Sequence, residues 1–336
     1  MKILIHFDPG IKRDIYEASR LRKNIKGSLE LNNIIWVDSI YALPDVCHLI
    51  SPIDEPLAKE AKGEGLPIVI SALYTEGDPS ASFTSKDMFG ELILTNKAKK
   101  FLEYADVILV PSDDAKTFLN RYIQDKRIEI VTPGVNSMRF EILDSCSEGA
   151  FRHYERFPED QKYFITIGEY TDKKTLTSLR ELASLLPEYR FFFVGGDYGG
   201  KSSSLNGANK KNPKNLTFLP ILPDDLFRSA LHDTYGFIYF DSMTFSSLIC
   251  LESFASKTPV FKIGERKDPE RVSKAFINVS SIKEMCDLLP SLSQLTREEA
   301  IMCGYQVAKD NSLANLGKSL KTIYDSLINK EGLKND

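Results

Sequence analysis

Glu252 is the residue whose type and setting most invite chemistry. It lies in residues 241–260 (DSMTFSSLICLESFASKTPV), a run that ends a buried strand, opens a helix and leads into another strand. A carboxylate one turn inside such a helix can accept hydrogen bonds from a ligand's hydroxyls, in the crevice where open α/β sheets bind ligands. The same position also suits a solvated first-turn Glu favoured by the helix dipole, and the residues alone leave both readings open. His6 and His48 fall on predicted strands facing the ligand end or the core, where a satisfied structural histidine is commoner than a catalytic group. Residues 195–202 (GGDYGGKS) match a phosphate-binding loop, and 237–241 (FIYFD) resemble a strand ending in a magnesium-binding Asp. That chemistry needs a helix beginning at Lys201-Ser202, with its amides facing the phosphates. The following SSLNGANKKNP is loop by composition, so the match is rejected. Gly195 and Gly196 are read instead as letting the backbone turn tightly at a strand's carboxyl end, close to the ligand site.

These residues need elements to hold them, and the chain is long enough for two sets. Its 336 residues exceed what one hydrophobic core usually organises, so two domains are expected. Short apolar or β-branched runs recur at 2–7, 34–37, 46–50, 67–72, 107–111 and 128–132, separated by helix-like segments. The pattern restarts at 163–168, 190–196, 216–219, 236–240, 259–263 and 275–279. Two tandem doubly wound parallel-sheet domains follow, α/β in class, with the ligand crevice between them as the expected site. The boundaries are read as 1–150 for the first domain and 151–310 for the second, with the polar stretch 141–161 as linker and entry. Residues 311–336 form a terminal helix that packs back on the first domain.

A formal net charge of -4 argues against a nucleic-acid partner. Cys47, Cys146, Cys250, Cys286 and Cys303 are scattered with no C-x-x-C, and the chain opens directly on the strand-like KILIHF. This reads as a reduced, cytoplasmic protein. The longest apolar runs are strand-sized, so any membrane role is peripheral. Ile11 to Lys26 alternates Ile15, Ala18, Leu21 and Ile25 with basic residues including Arg20, Arg22 and Lys23. It either lies against an anionic membrane surface or packs its apolar stripe on the sheet.

Residues 105–112 (ADVILVPS) with Lys116, 128–136 (IEIVTPGVN) with Phe140, 163–174, 215–226 and 241–260 occur in an informative order and spacing. Together they resemble the retaining glycosyltransferases of family 4, which have the two-domain GT-B fold of Rossmann-like halves. The likeness is greatest to the bacterial diacylglycerol glycosyltransferases that add a second sugar to a glycolipid. It covers most of the chain and implies transfer of a hexose from a nucleotide sugar, UDP-glucose or UDP-galactose, to a hydroxyl acceptor with retention. No cofactor or metal is implied; the nucleotide sugar is the donor substrate. The implied acceptor is a glycolipid or other cell-envelope saccharide, reached from the cytoplasmic face of the membrane.

The resemblance also assigns roles. Lys174, beside Lys173, occupies the place of the lysine that contacts the donor's phosphates, and Glu252 that of the acid binding the ribose hydroxyls. Gly196, Leu219, Ser246, Ser247 and Leu248 complete the implied donor set. Departures accompany these matches. Glu169 stands where an Arg is usual, Thr244 where an acid contacts the transferred sugar, and Ser71 and Leu73 replace two histidines of the first domain. A hydroxyl cannot act as a carboxylate. Glu76 and Asp78 remain as acceptor-site groups, and Lys174, Thr244 and Glu76 form the expected catalytic set. With the departing diphosphate able to take the acceptor's proton, no protein base is required. A degenerate transferase kept as a binding or partner subunit is the alternative.

Overall fold

The computed structural model describes residues 1–6, 17–50, 53–74, 83–169, 173–196, 212–240, 248–265 and 268–332. They form two compact units, the first running through Val135 and resuming at Asn311, the second running from Asn136 to Asp310, Leu248 excepted. The inner strands of both sheets are short, largely buried and mostly apolar, as expected for parallel strands covered on two faces.

The first unit contains β1 (Lys2–Ile5), α1 (Glu17–Leu31), β2 (Ile35–Val37), β3 (Val46–Leu49), α2 (Glu55–Gly63) and β4 (Ile68–Ser71). It continues with β5 (Thr84–Lys86), β6 (Leu92–Leu94), α3 (Asn96–Leu102), β7 (Val107–Val110), α4 (Asp113–Asn120) and β8 (Arg127–Ile130). Its main sheet has the order β2-β1-β3-β4-β7-β8 with every pairing parallel, while β5 and β6 form a separate antiparallel pair. Strand succession therefore reverses between β1 and β3. Asp54, Thr95 and Ser112 cap α2, α3 and α4 by accepting main-chain N–H bonds, which explains where those helices start.

The second unit contains α5 (Ser137–Glu141), α6 (Ala150–Glu155), β9 (Tyr163–Glu169), α7 (Lys173–Leu185), β10 (Arg190–Gly196), β11 (Leu216–Leu219), α8 (Asp224–Asp233) and β12 (Gly236–Phe240). It continues with α9 (Leu248–Ala255), β13 (Val260–Ile263), α10 (Glu270–Ser273), β14 (Phe276–Val279), α11 (Ile282–Leu288) and α12 (Gln294–Asp310). The sheet order is β11-β10-β9-β12-β13-β14, again all parallel. This is the doubly wound order of dinucleotide-binding folds, with its reversal between β9 and β12.

The last helix, α13 (Leu313–Gly332), belongs to the first unit and packs along α1. A bridge between Val135 and Ser312 brings the two ends of the first unit side by side. Gly317 permits the helices to meet: a Cβ there would stand 2.1 Å from Asn32 Nδ2 and 2.2 Å from the Ser28 carbonyl. Deeper in, the Tyr324 hydroxyl reaches His48 Nδ1 at 2.7 Å, and His48 Nε2 meets the Ser71 hydroxyl at 2.8 Å.

One expectation changes. The units divide at Val135 and Asn136, ahead of the 150/151 boundary read from polar composition. Buried Phe140 and Phe151, with His232 and Arg228 bonded to the Phe140 and Ile142 carbonyls, tie that polar stretch to the second unit. Of the two readings of segment 11–26, packing of the apolar stripe on the sheet holds for the described part, where α1 begins at Glu17 and Leu21, Ile25 and Leu29 enter the core of the first unit. Arg22 is buried with them, so it does not belong to an exposed basic face. β10 ends at Gly196, so the two glycines stand at a strand's carboxyl end as expected, and the residues that follow lie outside the described ones. A Cβ on Gly195 would lie 2.2 Å from the Gly168 carbonyl oxygen of β9, so strand packing requires the glycine.

Candidate functional site

The reversal of strand order in the second sheet is where an open α/β sheet forms a ligand crevice, outside the carboxyl ends of its strands. Two helices begin beyond those ends, α7 after β9 and α9 after β12. Lys173 and Lys174 form the first turn of α7 and are exposed. The positive pole of the helix dipole lies there, which disfavours cations on folding grounds and favours an anion. No acidic residue occupies that turn.

On the opposite flank, α9 opens with Leu248 and carries Glu252 one turn in. Glu252 is only 1% exposed, which disposes of the solvated-surface reading. Its main-chain carbonyl accepts from the Ser256 N–H and hydroxyl, both at 3.0 Å. Carboxylates this buried are retained where hydrogen-bonded or charged company compensates the loss of water.

Of the remaining candidates, Gly196 ends β10 opposite Glu169, and Leu219 is buried at the end of the edge strand β11, two strands from the reversal. Leu248 is buried, which leaves its main chain as the part able to meet a ligand. Thr244, Ser246, Ser247, Glu76, Asp78, Asp241, Lys201 and the segment 11–16 lie outside the described residues. In the first unit, Leu73 follows β4 with a left-handed φ of 63° and is buried. Ser71 is occupied by His48. Neither position supplies the proton-transfer group of the histidines they replace.

Sequence reasoning passed over two pairs. Lys262, on β13 and 1% exposed, pairs with Asp268, and its ammonium lies 5.7 Å from the centre of the Phe276 ring. Its signal was a lysine inside the apolar run VFKI. The second is His6, which immediately follows β1, with its Nε2 3.2 Å from Asp54 Oδ2. His48, by contrast, is fully buried and its pKa is pushed down to about 3 by desolvation, so it stays neutral. Among the described residues no helix is long and apolar enough to cross a membrane.

No protein-family model matches the chain. Over 232 residues it is 22% identical to the processive diacylglycerol alpha-glucosyltransferase of Acholeplasma laidlawii, spanning 67% of this chain and 68% of that protein. Among solved structures it resembles Anabaena HepE in complex with UDP-glucose, with a TM-score of 0.70 at 11% identity over 97% of this chain and 100% of that one. A glycosyltransferase from Rickettsia africae gives 0.66 at 14% identity, covering 97% and 98% of the two chains. Sucrose-phosphate synthase from Thermosynechococcus elongatus gives 0.65 at 12%, covering 94% and 80%. The chain has the GT-B glycosyltransferase fold, built from two parallel-sheet Rossmann-like units. Its sequence likeness is to a diacylglycerol glucosyltransferase, as the motifs led us to expect.

Proposed function

We propose that this protein is a glycosyltransferase that moves a hexose from UDP-glucose or UDP-galactose to a hydroxyl of a glycolipid or cell-envelope saccharide, with retention of anomeric configuration. The observation that carries this reading is the arrangement of Lys173, Lys174 and Glu252 on the two helices flanking the reversal of the second sheet. The diphosphate binds at the start of α7, where lysine ammonium groups and main-chain N–H groups stabilise the charge that grows on the leaving group. Glu252 accepts hydrogen bonds from the ribose hydroxyls. The relatives support the donor class: HepE was solved with UDP-glucose, and the Acholeplasma relative is named for glucosyl transfer to diacylglycerol. The acceptor is met at the cytoplasmic surface of the membrane, with Thr244 and Glu76 contributing to the sugar and acceptor sites.

Transfer from radiolabelled UDP-glucose or UDP-galactose to a glycolipid acceptor is the expected result. Neither transfer nor hydrolysis with any donor would instead favour a binding subunit that has lost the reaction, the reading suggested by Leu73 and Thr244. The nucleotide site has its own test. Each hydrogen bond to a charged group contributes about 1.5–3 kcal/mol, so Glu252→Ala and Lys174→Ala should each weaken UDP binding at least ~10-fold by calorimetry. Unchanged affinity in both variants would remove the proposed site.

A further inference from the structure

One pair of strands in the first unit stands apart from its main sheet. β5 and β6 form an antiparallel hairpin, with Thr84 opposite Leu94 and Lys86 opposite Leu92. The base of the hairpin is built into the unit. Phe83 and Leu94 are buried, the Phe83 ring lies 6.2 Å from that of Phe101 on α3, and the Thr95 N–H donates to the Phe83 carbonyl at 2.9 Å. Its tip is not built in: Met88 and Phe89, adjacent in the turn, are 88% and 82% exposed. Among the described residues no other two large apolar side chains in succession are so exposed.

The turn that carries them is fully bonded. The Asp87 N–H donates to the Glu91 carbonyl at 2.9 Å and the Gly90 N–H to the Asp87 carbonyl at 3.1 Å. One Asp87 carboxylate oxygen accepts the Phe89 and Glu91 N–H groups at 2.8 and 2.9 Å. Gly90 takes the left-handed φ of 82° that closes the turn. Met88 and Phe89 therefore occupy its central positions, where folding favours Asp, Asn, Ser, Gly or Pro. Their apolar surface serves no packing within the unit.

We infer that this hairpin is a membrane contact of the first unit: Met88 and Phe89 enter the acyl-chain boundary of an anionic bilayer, and Lys97 and Lys100 of α3 meet its headgroups. The choice of a membrane rests on the lipid-acceptor reading above, and the hairpin supplies a surface that α1 does not, since Leu21, Ile25 and Leu29 enter the core. Size selects the occupant. A stable protein interface buries about 800 Å² on each partner, and a Phe side chain at most about 250 Å², so two residues on a narrow turn fall short. A fluid acyl phase closes around such a tip. Reach agrees with this, because the hairpin extends three residues, roughly 10 Å, beyond its junction with α3. Peripheral apolar groups enter a bilayer by about 5–10 Å, which leaves the start of α3 at headgroup level. Charge agrees as well. α3 (NKAKKFL) holds three lysines and no acid; Lys97 and Lys100 are exposed with no ion pair among the described residues, while Lys99 lies over the Tyr122 ring. The hairpin sets the exposed Glu91 against them, and Asp87 is engaged by the turn's own amides.

Flotation of the whole chain with vesicles tests this, using phosphatidylcholine alone and an equal mixture with phosphatidylglycerol. Binding to the mixed vesicles, weakened by added salt, is expected. Changing Met88→Ser and Phe89→Ser together should lower that binding at least ~10-fold, the factor set by burying one such side chain. Ser suits a turn and both sites lie outside the core, so thermal unfolding should not move. Changing Lys97→Gln and Lys100→Gln together should weaken binding to mixed vesicles at least ~5-fold and leave any binding to phosphatidylcholine alone unaltered. Fluorescence of Phe89→Trp should be quenched by lipid brominated on its acyl chains. A parent chain that does not float, or a doubly Ser-substituted tip that floats as the parent does, overturns the inference. Self-association abolished by the same tip substitutions, without vesicle binding, would assign the tip to a second copy and overturn it equally. Flotation needs no sugar donor, so its failure leaves sugar transfer to be judged by its own assay, and the two readings fall separately.

Discussion

Acid should destabilise the first unit through His48. Its ring is fully buried between Tyr324 of α13 and Ser71 of β4, and burial pushes its pKa from 6.5 down to about 3. In the unfolded chain the same imidazole titrates at its ordinary value. Between these two limits the unfolded state binds the extra proton, so stability is fully present above pH 6.5 and is lost as pH falls below it. At pH 5 the unfolded group lies about 1.5 units into its titration, and at 1.36 kcal/mol per unit the loss is about 2 kcal/mol. The sole tryptophan, Trp36, lies on β2 of this unit, bonded to Glu30 and covered by the Lys26 ammonium, and reports its unfolding by fluorescence. With a urea slope of about 2 kcal/mol/M, the midpoint should drop by about 1 M between pH 7 and pH 5. His48→Gln cannot titrate and should lose this part of the drop. An equal drop in both proteins would show that other groups carry the acid sensitivity.

Two further substitutions probe how each unit is held. Gly317→Ala gains up to about 1 kcal/mol of helix propensity, but its Cβ meets the Ser28 carbonyl, a main-chain atom that cannot swing aside. Net destabilisation of about 1–3 kcal/mol by urea titration of Trp36 fluorescence is expected, and a neutral or stabilising outcome would mean that α1 and α13 slide apart freely. Lys262→Met leaves the Asp268 carboxylate largely buried without its ammonium partner, at a loss of about 3–5 kcal/mol. Adding Asp268→Asn should recover much of that in thermal unfolding of the second unit, whereas additive losses would refute the pairing.

The alternation of strands and helices was legible because parallel strands are buried on both faces and therefore appear as unbroken apolar runs. Periodicity also found the apolar stripe of α1, but could not tell which basic residue beside it turns inward; Arg22 does so. Composition misplaced the boundary because 136–160 is polar on average while a few residues, Phe140 and Phe151 among them, decide its packing. The second demand on Gly195 was invisible, because only the neighbouring strand's Gly168 carbonyl, which no local pattern shows, requires its missing Cβ. His6 and Asp54 were invisible as a pair because strand order, which no local pattern encodes, brings them together.

What the two flanks of the second sheet share is that each is a poor choice for folding. Lysines at the start of α7 oppose the helix dipole, and a carboxylate at 1% exposure on α9 surrenders its water. Either alone has an ordinary explanation in an accommodating neighbour. Both border the same reversal of strand order, where the backbone already turns helix starts toward a crevice. In the reading proposed above, phosphates lie beside Lys173 and Lys174 and ribose hydroxyls beside Glu252. Paired choices of this kind are where a sequence departs from folding rules for the sake of function. That coincidence at one reversal, more than any single motif match, is what the proposed donor site rests on.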